Sequence, residues 1–218
     1  MRLLREYISA VLLTEARMGP DDLPDDVVVV ILHEMPDIVD VFFGRAHDPK
    51  IQSNSPKGGV GIARGAWRPS ADGPCGDAWM VYTSGADSGW GPLLYDVAME
   101  YATLNGGGLI ADRASVSPEA RDLWRYYISE DEEGNLMRPD VTSHQLDDLE
   151  NTLTYPQESG KDPIWTDNCS QKVATYTTSG EFNIPKNVDW VESPLSKRYT
   201  KEPTTMTALR SIGKLREI

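Results

Sequence analysis

The chain has 218 residues and carries a formal net charge of −13; 39% of it is hydrophobic, with six tryptophans, fifteen prolines and eighteen glycines. That length holds one decorated domain or two small ones, and the apolar content is enough for a real core threaded by many turns. The acidity argues against general nucleic-acid binding and attachment to an anionic membrane surface, which both draw on Lys and Arg; it would draw in a basic substrate or partner, or simply keep the chain soluble.

Residues 1–19 open the chain with Leu3, Leu4, Tyr7, Ile8, Val11 and Leu12 at helical spacing and Arg2, Arg5 and Glu6 on the other face. The apolar residues are periodic and have no continuous core, which excludes a secretory signal, and the segment is too short and polar to span a membrane. The helix runs into Leu13-Thr14-Glu15-Ala16 and then Gly19-Pro20. This arrangement resembles the capsid-targeting peptides of T-even-like tailed phages, which a prohead protease removes by cutting after the glutamate of a Leu/Ile-x-Glu-Ala/Gly/Ser site. The resemblance implies cleavage after Glu15, phage capsid or prohead proteins as partners, and a place in the host cytoplasm or the virion. An ordinary first helix packed on the domain, or a helix docked in a partner's groove, fits the same periodicity.

After an acidic turn at Asp21–Asp26, the continuous run Val27–Leu32 predicts a strand buried on both faces. Ile38–Phe43 predicts its neighbour, joined through Met35-Pro36-Asp37. Residues 48–57 predict a loop, Val60–Ala63 a weaker strand, and Trp79–Tyr82 a strand bounded by Thr83-Ser84-Gly85. A turn follows, Ala86-Asp87-Ser88-Gly89-Trp90-Gly91. Leu93, Leu94, Val97, Ala98, Tyr101 and Ala102 then recur at three- and four-residue spacing and predict a helix. Gly106-Gly107-Gly108 stops it, Leu109–Ala111 predicts a short strand, and Ser117-Pro118 caps a second helix.

The stretch from Ala78 to Tyr127 resembles the acyl-CoA-binding half of the GNAT N-acetyltransferase superfamily. There a strand ends in Gln/Arg-x-x-Gly-x-Gly/Ala, whose backbone N–H groups cradle the cofactor pyrophosphate, and a helix, a strand and a last helix with Asn-x-x-Ala-x-x-Leu-Tyr follow. Gly89, Gly91, Ala120 and Leu123 match those patterns; Ala86 replaces the Gln/Arg, Asp87 adds a negative charge, and Trp124 stands at the tyrosine position. The resemblance implies an α+β domain over 20–150, with a mixed, mostly antiparallel central sheet flanked by helices. It leaves no room for the two helices that the family carries after its first strand. It implies acetyl-CoA as cofactor, bound by Tyr82, Asp87, Ser88, Gly89, Trp90 and Gly91. The acyl acceptor would be an amine on a small molecule or a protein lysine. Glu34 or Asp112 would act as base, and Tyr126 or Tyr127 would protonate the leaving thiolate. A non-catalytic virion or head-internal protein on the same scaffold is the alternative that the three departures favour.

Residues 151–218 read as a long irregular extension, with widely spaced aromatics and a terminal helix over Met206, Leu209, Ile212 and Leu215. Ser143–Leu149 predicts a short helix. Cys75 and Cys169 lie in polar contexts and read as reduced thiols. The histidines His33, His47 and His144 lack metal-ligand spacing, and no metal site is expected.

Overall fold

The computed structural model describes residues 18–48, 57–64, 78–112, 115–146 and 192–218, together with the backbone of 174–176 and 182–183. The proposed targeting helix, its cleavage site and both cysteines lie outside the described residues. The fold is mixed α/β. Its strands are β1 (Val27–Met35), β2 (Ile38–Arg45), β3 (Gly58–Ala63), β4 (Trp79–Ala86), β5 (Leu109–Ile110), β6 (Ser115–Val116), β7 (Val141–Gln145), β8 (Ala174–Tyr176), β9 (Phe182–Asn183), β10 (Lys197–Lys201) and β11 (Leu215–Glu217). Three helices are described, α1 (Gly91–Leu104), α2 (Pro118–Tyr126) and α3 (Thr204–Ser211). Eight strands form a mostly antiparallel sheet in the order β11-β1-β2-β3-β4-β5-β10-β7, and β6-β8-β9 form a small second sheet.

The chain divides into two compact units, one of residues 1–61, 83–98 and 203–218, the other of 62–82 and 99–202. In the first, β1 and β2 form the expected hairpin, antiparallel with Val29 opposite Phe43 and Ile31 opposite Val41. Val28–Ile31 are all buried, as a continuous β-branched run requires. The end of the chain returns to this hairpin. After α3, Gly213 turns at φ +70° and β11 lies parallel to β1, with Val29 opposite Leu215 and Ile31 opposite Glu217. Met206 and Leu209 bury the apolar stripe of α3, but the expected helix stops short of its last two positions: Ile212 is exposed and Leu215 opens β11.

In the second unit β4 and β5 pair in parallel through Trp79–Leu109 and Met80–Ile110. β10 then pairs antiparallel with β5 on one side and with β7 on the other. Trp79, Leu109 and Tyr199 share one face with Trp124 of α2, whose ring lies 4.9 Å from that of Tyr199. Ser117 caps α2 as its position predicts, its Oγ accepting from the Ala120 amide at 3.2 Å.

Two further expectations differ from this architecture. Ser143–Leu149 does not open as a helix: Val141–Gln145 is a strand, because pairing with β10 over five residues satisfies its backbone. The polar stretch at 197–201 belongs to no irregular extension but is a strand between β5 and β7. Its polarity hides its burial, since Tyr199 and Lys201 are both enclosed and Lys201 finds carboxylate partners inside.

Gly108 closes the end of α1 at φ +101°, and its carbonyl accepts from the Trp79 amide at 2.8 Å. A Cβ there would lie 2.5 Å from the Tyr199 carbonyl oxygen. Gly108→Ala therefore has to move β10 as well as adopt a left-handed backbone, and it is expected to cost about 2–3 kcal/mol. Urea unfolding checks this; a midpoint equal to wild type would mean that β10 tolerates displacement.

Candidate functional site

In the first unit the turn from Ala86 to Gly91 joins β4 to the N-terminus of α1, where helical N–H groups collect partial positive charge. Gly89 takes the left-handed conformation at φ +83° that its position demands. The Trp90 amide donates to the Asp87 carbonyl at 3.0 Å, and the Asp87 amide donates to the Lys57 carbonyl at 3.1 Å. Among the described residues the amides of Ser88 and Gly89 make no backbone hydrogen bond, while the Gly89 carbonyl accepts from the Met18 amide at 3.1 Å.

Lys57, which the sequence places only at the end of a loop, is the cation of this turn. Its Nζ lies 3.3 Å from Asp87 Oδ2 and 5.2 Å from the centroid of Trp90. Trp90 in turn meets Phe43 edge-on at 4.8 Å. Gly58, at φ +121°, lets β3 approach so closely that a Cβ would fall 2.4 Å from Ala86 Cα. Thus the negative charge of Asp87 is compensated by a residue thirty positions away, just before β3. Pairing in sequence alone does not reveal it, because the contact depends on a strand approach that only glycine allows. Two residues before Ala86, the Tyr95 hydroxyl donates to Ser84 Oγ at 3.0 Å.

Glu34 is exposed near the tip of the β1–β2 hairpin, in this first unit. Tyr82 and Asp112 are half-buried, and Tyr126 and Tyr127 belong to the second unit. The tyrosine rings lie 5.9 Å apart, but their surroundings differ: Tyr127 is enclosed against Trp124 and Tyr199, at 6.2 and 6.1 Å, and Tyr126 is half-buried. Trp124, at the position where the resembling family has its tyrosine, is a core residue with 1% exposure.

The guanidinium of Arg138 lies 5.8 Å from the Tyr126 ring centroid and 5.2 Å from that of Tyr127. Asp140 holds that guanidinium through two bonds of 2.9 Å each, from Nε to Oδ1 and from Nη2 to Oδ2. Asp140 Oδ2 also lies 3.2 Å from Lys201 Nζ, and Lys201 pairs with Glu100 of α1, both of them fully enclosed. The result is an alternating chain, Glu100, Lys201, Asp140, Arg138, running from the interior to the aromatic pair. The hydrogen bonds from Arg138, with the charges of Arg138 and Lys201, outweigh burial and bring the Asp140 carboxyl down to about 2. Proximity to the tyrosines makes Arg138 a group the sequence did not single out; neither its spacing nor its loop context marks it.

On the opposite face of β10, His144 Nε2 lies 3.1 Å from Thr200 Oγ1. Burial, followed by the charge of Arg198, lowers the His144 imidazole below its ordinary range. Lys197 donates to Gln145 Oε1 at 2.8 Å on the other face, and burial lowers its ammonium, against the charge of Glu192.

Among the described residues no three His, Cys, Asp or Glu side chains come together as metal ligands, and no helix is long and apolar enough to cross a membrane. Comparison with known protein families, with curated proteins and with solved structures finds no match for the chain.

The charge chain yields two expectations. Lys201→Met strands the Glu100 carboxylate in the core and should cost about 3–5 kcal/mol, whereas Glu100→Leu combined with Lys201→Met should return to within about 1 kcal/mol of wild type or exceed it. Chemical denaturation of wild type, Glu100→Leu, Lys201→Met and the double variant checks this, and additive losses would contradict the pairing. Asp140 binds its proton more weakly folded than unfolded, so its contribution is complete above the ordinary carboxylate range and disappears as pH falls from about 4 towards 2. Asp140→Asn should flatten the stability curve across that window; an unchanged acid slope would mean that other carboxylates carry it.

Proposed function

We propose that the protein is an acyl-CoA-dependent N-acyltransferase that transfers an acetyl group to a primary amine, on a small molecule or on a protein lysine. The observation that carries the reading is the β4–turn–α1–β5 unit: a parallel strand pair connected by a helix whose first turn is opened by Gly89 in the left-handed conformation. It follows three strands and precedes α2 with its Ser117 cap, the order that the GNAT resemblance implies. The amides of Ser88 and Gly89 and the ammonium of Lys57 would hold the cofactor's pyrophosphate, with Asp87, Trp90, Gly91 and Tyr82 beside it. When bound, acetyl-CoA supplies an activated acyl carbon; the protein's part is to orient an amine against it and to handle protons. Glu34 is accessible for such a task, and of the two tyrosines Tyr126 is the more exposed.

A second reading, a non-catalytic phage virion or head-internal protein on the same scaffold, is favoured by the Lys57–Asp87 ion pair. It already occupies the cation that a phosphate would need. The burial of Trp124 in the core agrees with it. The N-terminal segment would act as a packaging signal under either reading.

Isothermal titration with acetyl-CoA and CoA separates them. The first reading expects micromolar affinity, about −7 to −8 kcal/mol, reduced at least about tenfold by Gly89→Asp and strengthened by Ala86→Arg. No heat at millimolar CoA would remove the acyltransferase reading and leave the scaffold protein.

A further inference from the structure

In the second unit β10 and β7 pair antiparallel, with Arg198 opposite His144 and Thr200 opposite Thr142. Residues two apart on a strand share a face, so these four side chains project together, away from Tyr199 and Lys201. Directly opposed residues hold their Cβ atoms about 5 Å apart, which makes the four a compact polar square. One diagonal is closed by the 3.1 Å contact between His144 Nε2 and Thr200 Oγ1. Arg198, His144 and Thr200 are half-buried and Thr142 is exposed, so solvent reaches the square.

Arg198 is its odd member. The other cations of this region are engaged: Lys201 with Glu100 and Asp140, Arg138 with Asp140, Lys197 with Gln145. The chain carries 34 acidic residues, yet among the described residues the Arg198 side chain has neither an ion pair nor a hydrogen bond. Its Nε is buried and orphaned. A buried polar nitrogen without a partner is rare in a folded protein. An arginine fork presents paired N–H donors whose spacing matches a carboxylate or a phosphate.

We propose that Arg198, Thr142, Thr200 and His144 form a binding site for a small oxyanion, a carboxylate or phosphate group held on the Arg198 fork. The site involves no residue of the glycine turn and does not depend on the acyl-transfer reading. With its proton on Nε2, His144 donates to Thr200 Oγ1 and leaves that hydroxyl's own hydrogen for the anion; the Thr142 hydroxyl supplies another donor. On the other side of β10, Ile110 stands opposite Arg198 and clusters with Ala78, Met80 and Leu146. That apolar border suits an anion carried on a short apolar body. The net charge of −13 repels polyanions, so the ligand is a small molecule.

His144 reports on the site. Burial, followed by the charge of Arg198, holds its imidazole below the ordinary range. An anion on the guanidinium offsets the second cause, so binding raises the proton affinity of the imidazole. By reciprocity, protonation of His144 tightens the anion. On β5, β7 and β10 no other titratable side chain shares this face. Lys197 and Lys201 project from the other, Lys201 beside its carboxylates and Lys197 under the charge of Glu192.

The test is NMR titration of the full-length protein with sodium phosphate, acetate and hexanoate, each against sodium chloride at equal ionic strength, following the His144 ring resonances. Saturation in the millimolar range, by phosphate or by the carboxylates, supports the site and identifies the head group it takes. Arg198→Met should weaken binding at least about tenfold, and Arg198→Lys about threefold, because an ammonium keeps the charge and loses the fork. Thr142 is exposed, so Thr142→Val tests the site without touching the core and should weaken binding about threefold. Affinity should rise as the pH falls from about 8 to about 6, and His144→Gln should bind with that dependence removed. Shifts no larger than those with chloride overturn the site. So does an affinity that Arg198→Lys and Thr142→Val both leave unchanged.

Discussion

The Lys201–Glu100 ion pair is the constraint around which the second unit is arranged. Either charge alone, enclosed as both are, would cost several kcal/mol to desolvate. Together they oblige β10 and α1 to meet at one register, and the Lys201 amide reinforces it by donating to Thr103 Oγ1 at 3.0 Å. Thr103 is itself tied down, donating to the Met99 carbonyl at 2.8 Å. Once Lys201 is placed, strand alternation puts Tyr199 and Lys197 on its face and Arg198 and Thr200 on the other. Tyr199 then meets Trp124 and donates from its hydroxyl to the Pro194 carbonyl at 2.7 Å. One buried pair thus decides both what packs beneath the helices and what faces away from them.

The pair also extends outward. A lone buried Lys–Glu contact leaves ammonium hydrogens to satisfy, and Lys201 uses one on Asp140, which is in turn clasped by Arg138. Each added charge is opposite to the last, so the four-residue chain is neutral and tolerates partial burial. Its outer end lies over two tyrosine rings, where a guanidinium gains cation–π attraction. The placement of Arg138 is a consequence of the core, not a local property of its loop.

The glycine turn follows another logic. There the governing constraint is close approach: Gly58 brings β3 against the end of β4, and the Lys57 backbone and side chain both engage Asp87. An acidic residue at a turn proposed to hold a phosphate is a contradiction in sequence that tertiary pairing relieves. For a protein of net charge −13, local cations of this kind matter for any phosphate ligand, while the overall field favours amines.

Much of the backbone was legible in the residues themselves. The β1–β2 hairpin follows from two apolar runs around Pro36-Asp37, α1 from its three- and four-residue spacing, its end from Gly108, and the start of α2 from Ser117-Pro118. These are local signals, each carried by a few neighbouring residues whose conformational preferences need no partner. Strand β10 was not legible, because Lys197, Arg198, Thr200 and Lys201 look solvated until Glu100, 101 positions before Lys201, supplies the counter-charge. Nor were Lys57 at the turn, Arg138 over the tyrosines, or the His144–Thr200 pair, since each depends on a strand register or a close approach between distant segments. Periodicity and capping are properties of a short stretch of chain; charge compensation and juxtaposition across a sheet belong to the folded whole, and only the tertiary structure decides them.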